Sequence, residues 1–445
     1  WISFFAVYLR MANCVFWVKE IKRMIFDNII VGSGAGGASL AKALCRKGMN
    51  NLLLERGRPQ SIGKWQNCLH YYDLSPFAKR VRKSKEGIII WQSFLPGGSS
   101  RVSCGNIGRC LEPELQAAGI DLTNQFVECE KEINAVQLGI DMLGPRSQAI
   151  LDASRQLGYG MHTATKGINE TKCIKCGNCV FGCRYGAKWT AYNELCEAKK
   201  NGAHVVYDAM VSKVLFNGRK IDGVLLQNGD IHKAKNVIVC AGGINTPIIL
   251  QKSGIKNAGK KLFCDLLVNV YGHTQKTYDN EPAMSLISTS FYQKEGFILS
   301  TYTPANHIYY YLESGIASLF HPIKKTLGLM VKIRDDSNGF VNENGVIHKS
   351  PTYSDFEKLR KGIEISKEIL ERTGDINSIH ISHIQGAHCG GTCAINDVVD
   401  TNLETEYSGL YVSDASVLPK SPGFPPILTI TALSRRLADH LYFKG

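Results

Sequence analysis

The 445-residue sequence predicts an α/β fold. Its first part is a doubly wound, Rossmann-like nucleotide-binding domain, joined to an α+β domain built on an antiparallel sheet. Three observations carry that expectation. A glycine-rich turn links a short apolar run to a helical pattern near the start. Another buried-strand pattern, "GLYVSDAS", precedes a second helical pattern near the end. Between them lie stretches of alternating residues broken by "NG" turns.

The opening element is "DNIIVGSGAGG" (27–37), which ends in Gly32-x-Gly34-x-x-Gly37. Gly32 allows the tight turn, Gly34 lets backbone approach a pyrophosphate, and Gly37 permits close helix–strand packing. The helical stretch starting near Ala35 offers its amides to phosphate oxygens. A second strand, "NLLLERG", then ends at Glu55, placed to accept hydrogen bonds from ribose hydroxyls. Together these parts predict dinucleotide binding, without choosing between NAD and FAD.

Further along, "CIKCGNCVFGC" (173–183) sets Cys173, Cys176, Cys179 and Cys183 at the spacing of bacterial ferredoxins. Three readings compete: a [4Fe–4S] or related cluster, a tetrahedral zinc site, or a reduced thiol loop. Arg184 stands where ferredoxins carry proline, and there is a single run. One cluster would therefore need Cys183 to bend back, or a remote thiol such as Cys110 or Cys196. The alternation in "HVVYDAMVSKVLFNGRKIDGVLLQNGDIHKAK" predicts an antiparallel meander. The stretch 266–385, rich in aromatics ("HIYYYLES", "GLMVKIRDDSNGFVNENGVI"), reads as strands and turns with one helix near 356–372. "LYVSDAS" is a buried strand ending in Asp414, with a helix from about Ile427. A carboxylate there can bind ribose or ribityl hydroxyls, cap a helix, or do both.

Four stretches resemble the glucose–methanol–choline (GMC) family of FAD-dependent oxidoreductases: "LPGGSSRVSCGN" (95–106), "NVIVCAGGINTPIILQKSGI" (236–255), "GAHCGGTC" (386–393) and residues 409–441. The resemblance implies FAD held by Gly32, Gly34, Ala35, Gly37 and Glu55. Gly97, Gly98, Ser99 and Ser100 would cover the pyrophosphate and flavin. Val211, with Val205, would flank the adenine. Ala241, Gly242, Asp414, Ala415, Pro426 and Ile427 would complete the site. It further implies that His388 is the general base for oxidation of an alcohol CH–OH group, with hydride passing to flavin N5 and an aldehyde or ketone as product. Histidine suits that proton step because its pKa lies near working pH. His380 and His383 read as strand residues. Pro425 stands where the family places Asn, leaving His388 as one strong partner for the alkoxide. Val102 replaces the flavin-linking histidine of some members, so the FAD is expected to be non-covalent. Family members with a comparable cysteine segment also carry a stretch like "YGAK" (185–188), which implies that the thiols lie near the flavin.

Two other readings stay open: an iron–sulfur flavoprotein dehydrogenase serving a carrier, and a non-redox lyase or inactive flavin-binding homologue. The expected partners are a small alcohol, hydrophobic by the aromatic character of 266–385, and an electron acceptor that is oxygen, a quinone or a protein. The net charge of +13 is scattered rather than gathered in arms, which argues against nucleic acid. Fifteen cysteines without a disulfide framework point to a reducing, cytoplasmic setting. Residues 1–23 read as an interfacial membrane anchor, a truncated upstream segment, or translated sequence ahead of a start at Met24. The domain reading is an FAD-binding domain from 24–110, 190–265 and 395–445, a connecting segment at 111–189, and a substrate domain at 266–394.

Overall fold

The computed structural model describes residues 24–64 and 82–444; the readings made for 1–23 lie outside them. The first sheet begins with β1 (Ile25–Val31), followed by α1 (Ala35–Arg46) and β2 (Asn51–Glu55). β1 and β2 pair in parallel, with Asn28 opposite Asn51 and Val31 opposite Leu54. Chain then travels to α2 (Ala191–Lys200), which starts at a Thr190–Asn193 capping box. β3 (His204–Tyr207) extends the parallel edge beside β2.

The meander therefore starts later than its alternation suggests. Only β4 (Val211–Asn217), β5 (Lys220–Leu226) and β6 (Ile231–Val239) run antiparallel to their sequence neighbours. α2 supplies the crossover that a parallel strand requires, and Asp208, at φ 59°, turns the chain before β4. β6 also runs parallel to β1 from Lys233 to Val239, so the meander grows out of the sheet's centre. α3 (Gly242–Lys252) follows it.

The second sheet holds β7 (Leu266–Thr274), β8 (Leu286–Ser288), β9 (Phe297–Thr301), β10 (Thr326–Ile333), β11 (Ile376–Ile381) and β12 (Gln385–Gly386). Its order is Ile89–Ile90, β12, β7, β10, β9, β8, His162–Thr163, with β11 also on β7. Two of its short strands thus come from early parts of the chain. α4 (His307–Ser314) lies between β9 and β10, where "HIYYYLES" had read as strand. The Asn306 side chain caps it by accepting from the Tyr309 amide, and a good N-cap outweighs aromatic strand preference. α5 (Tyr353–Arg372) is the expected helix, begun three residues early by a Thr352–Asp355 capping box.

The strands of this sheet have two unlike faces. Leu266, Val268 and Val270 on β7, with Leu327, Leu329, Val331 and Ile333 on β10, join one core with α5 residues Leu359, Ile365 and Ile369. The opposite face carries Asn269, Tyr271 and His273, with Met330 and Lys332 beside them. After the second sheet, β13 (Leu410–Val412) returns to lie parallel to β6. α6 (Ile427–Lys444) then packs on α1, closing the first domain's core. No described helix is long and apolar enough to cross a membrane.

Candidate functional site

The glycine turn builds an open cradle. Gly32 has φ 101°, a conformation natural to glycine alone. Gly34 is the N-cap of α1, and a Cβ added there would meet nothing. No acidic side chain occupies the first turn, so the amides from Ala35 onward face open space. Gly37 and Gly36 do the opposite: a Cβ on Gly37 would overlap the Gly32 carbonyl, and one on Gly36 the Ser413 carbonyl. Glu55 at the end of β2 is buried and accepts from the Ser33 amide (2.9 Å), the Ser33 hydroxyl (2.5 Å) and the Gly57 amide (2.5 Å). Ser33 in turn accepts from the Gly97 amide at 3.0 Å, which pulls the Gly97–Gly98 turn over Gly34. Ser99 and Ser100 continue that turn as a 3-10 helix, and the Ser100 hydroxyl accepts from the first amide of α2.

On the other flank, Ala241 caps α3, and Asp414 accepts from the Gly242 amide (2.8 Å), Thr246 (2.5 Å) and the Ser416 amide (2.8 Å). Ala415 follows, and its carbonyl accepts from Gly391, three residues beyond His388. Pro426 and Ile427 open α6, whose first turn also lacks acids. Val211 starts β4, two residues after Ala209, whose amide donates to the Glu55 carbonyl. Val205 lies in β3. Among the described residues, the buried Gln92 Oε1 has no protein partner. Glycine-lined open space, aimed amides and such an orphaned polar atom fit a dinucleotide cofactor such as FAD.

His388 lies where the two sheets meet. Its Nδ1 is 3.0 Å from Asp265 Oδ2 and 3.3 Å from Lys332 Nζ. Asp265 is fully buried, and its other oxygen accepts from Ser421 (2.7 Å) and the Gly423 amide (2.9 Å). Burial pushes the His388 pKa below 6.5; the Lys332 charge adds to that, and Asp265 opposes it. Burial also lowers Lys332 to about 8. Neither Asp265 nor Lys332 stood out in the sequence. Lys332 did leave a trace, as the one charge in "TLGLMVKI", whereas Asp265 precedes a strand with nothing to mark it. Asn269, on the same sheet face, is buried and acts on the Glu313 carboxylate. His380 belongs to β11 and stacks on Tyr271.

The face toward His388 is mixed: most aliphatic residues go to the α5 side, but Leu267 and Ile298 both lie opposite Lys332 and stay with Asn269, Tyr271 and Met330. Composition averages two faces that strand periodicity separates.

The four clustered cysteines line a cavity of about 140 Å³ together with Cys104, Lys166, Lys172, Lys188, Arg184 and neighbouring residues. The remote thiols considered from sequence lie elsewhere: Cys110 contacts Thr429, and Cys196 contacts Tyr192. All five lining thiols are free. Among the described residues, no group of three or more His, Cys, Asp or Glu is arranged to hold a metal ion.

The chain is similar to known proteins. The profile described as GMC oxidoreductase matches residues 27–268 with its N-terminal part and 347–434 with its C-terminal part. An uncharacterized protein of Methanocaldococcus jannaschii is 31% identical over 424 residues, covering 94% of this chain and 100% of its own. A long-chain-alcohol oxidase of Arabidopsis thaliana is 22% identical, over 92% of this chain and 67% of its own. The crystal structure of pyridoxine 4-oxidase from Mesorbium loti superposes with a TM-score of 0.70 at 17% identity, over 93% of this chain and 99% of that one.

Proposed function

Since the chain belongs to the GMC oxidoreductase family, whose members bind FAD, we propose that it oxidises the CH–OH group of a small alcohol to an aldehyde or ketone. One observation supports this most: His388 is held between a buried carboxylate and a buried amine. The reading also draws on the alcohol-oxidising relatives, one named for long-chain alcohols and one for pyridoxine.

FAD, when bound, accepts the substrate hydride. The residues that would hold it are Gly32, Gly34, Ala35, Gly37 and Glu55, the 97–100 turn, Ala241, Gly242, Asp414, Ala415, and the α6 terminus at Pro426 and Ile427. Val211 would stand toward the adenine. Val102 offers no atom for a covalent link, so the flavin is released on denaturation.

The proton falls to His388. Its lowered pKa keeps the imidazole neutral near pH 7. Asp265 accepts from Nδ1–H, which leaves the Nε2 lone pair free to take the hydroxyl proton. Pro425 supplies no donor to the developing alkoxide. Lys332, still an ammonium at neutral pH, lies beside Nδ1 and balances the Asp265 carboxylate there. The mixed face, with Asn269 and Lys332 beside Leu267 and Ile298, suits an alcohol that carries both polar and apolar parts.

Anaerobic mixing with a panel of alcohols tests the reading. Alcohols with polar and apolar parts are expected to bleach the oxidised-flavin absorption, and His388→Asn to slow bleaching about 10²–10⁴-fold with the flavin retained. Alcohols that bind without bleaching would favour the non-redox alternative. Re-exposure to air then separates an oxidase, which recovers its colour at once, from a dehydrogenase.

A further inference from the structure

The cavity behind the cysteine loop holds a charge imbalance. Lys166 and Lys188 are only 1% and 4% exposed. Lys166 donates to the Cys104 carbonyl (2.8 Å) and to Asn106 Oδ1. Lys188 donates to the carbonyls of Arg101 (2.9 Å), Cys179 (3.2 Å) and Ser103. Neither has a carboxylate within ion-pair reach among the described residues. The acidic groups that act on them are thiols: Cys104 and Cys179 for both, with Cys173 for Lys166 and Cys183 for Lys188. Carbonyl oxygens satisfy hydrogen bonds but do not cancel charge, and a buried ammonium without a counter-charge is costly.

The occupant that restores balance must be anionic and must engage sulfur. Free thiols and disulfides are neutral, so they leave both lysines uncompensated. A zinc tetrathiolate carries the right charge, yet it draws sulfur to about 2.3 Å from the ion. That closure leaves no space, whereas the cavity measures about 140 Å³, roughly ten times what one water needs. A cubane core places iron and sulfide between its thiolates and fills such a volume. With four thiolates its oxidised form also carries the two negative charges that two lysines match.

We propose that this cavity binds one [4Fe–4S] cluster through Cys173, Cys176, Cys179 and Cys183. The backbone provides the turns this needs. Gly177 (φ 72°) and Gly182 (φ 85°) reverse the chain on either side of Cys179, so that Cys183 bends back toward the others. Lys188 ties the Cys179 carbonyl to the 98–103 turn that covers Gly34, placing the cluster directly behind the flavin loop. Cys104, half-buried, is wall rather than ligand: its electrostatic neighbours include both Cys179 and Lys332, so it lies between the cavity and the histidine site.

The test uses the whole chain, purified anaerobically and, as a second sample, reconstituted with ferrous iron and sulfide. About four irons and four sulfides per chain are expected, with broad sulfur-to-iron absorption and a low-temperature EPR signal after dithionite reduction. Cys179→Ser is expected to lose these signals, and Cys104→Ser to keep them. One zinc per chain, or no iron after reconstitution, would overturn the cluster. Loss in Cys104→Ser with retention in Cys183→Ser would overturn the ligand assignment. Should Cys179→Ser not fold, the wild-type iron and sulfide counts decide alone. None of these readouts depends on alcohol oxidation, so the two proposals stand or fall separately.

Discussion

Lys332 and Asp265 pull the same imidazole in opposite directions. The amine lowers the His388 pKa and the carboxylate raises it. His388 must be neutral to accept a proton, so kcat/KM should fall on the acid side with its pKa. Lys332→Met removes the lowering charge, and the acid limb is expected to move to higher pH. Asp265→Asn removes the raising charge, and the limb is expected to move to lower pH, with a lower plateau because the Nδ1–H tautomer is no longer enforced. A stopped-flow pH series on flavin reduction reads both; two shifts in the same direction would refute the arrangement. The proposed base, His388, was legible in the sequence, because "GAHCGGTC" is a local motif. Its partners were not. Asp265 and Lys332 come from positions 123 and 56 residues before His388, and sheet register alone joins them. The same holds for Cys104, Lys166 and Lys188, which the chain gathers around the cysteine loop from three separate turns and strands.

Where α1 crosses β13, the tightest contact falls on a glycine that the fingerprint leaves unspecified. Gly36 occupies an x position of Gly32-x-Gly34-x-x-Gly37, yet its Cβ would strike the Ser413 carbonyl. Gly36→Ala should therefore cost about 1–3 kcal/mol and loosen flavin, seen as a lower Tm and a reduced flavin-to-protein absorbance ratio. Underneath the second sheet, α4 brings Glu313 against the hydroxyls of Tyr271 (2.7 Å) and Tyr302 (2.5 Å). Burial pushes this carboxyl up to about 7. The folded chain thus keeps a proton that the unfolded chain gives up from about pH 4.5 upward, and stability falls as pH rises between those values. Glu313→Gln, which cannot titrate, should gain on wild type across that window by something on the order of 2–3 kcal/mol. Thermal melts at pH 4.5 and pH 7.5 measure it; a Tm difference independent of pH would contradict the burial. Sequence pattern located most strands and the long helices, because hydrophobic period survives in a single chain. It failed at β3 and α4, where a crossover and a side-chain cap overrode local preference.

At the scale of the molecule, charge and topology matter more than any one contact. The +13 net charge should draw in anionic acceptors and leave dioxygen unaffected. Reoxidation by ferricyanide is expected to slow as salt rises from low to physiological strength, while reoxidation by oxygen stays constant. Equal salt dependence for both would show that the charge lies away from the electron exit. The fold class was readable from sequence because its signatures are local and occur in chain order. The mixed lining of the cleft was not, since it depends on which face of β7 and β10 turns inward. One topological fact also governs what a shortened chain can do. β6 is finished only when β13 lies alongside it, and α1 is covered only when α6 arrives. The turn proposed to grip pyrophosphate precedes β1's far neighbours in the sequence, and its supporting wall, β13 and α6, comes only after the whole second sheet. A chain cut between β12 and β13 is therefore expected to retain the turn but lose its support, and to bind no flavin, as its flavin-to-protein absorbance ratio would show.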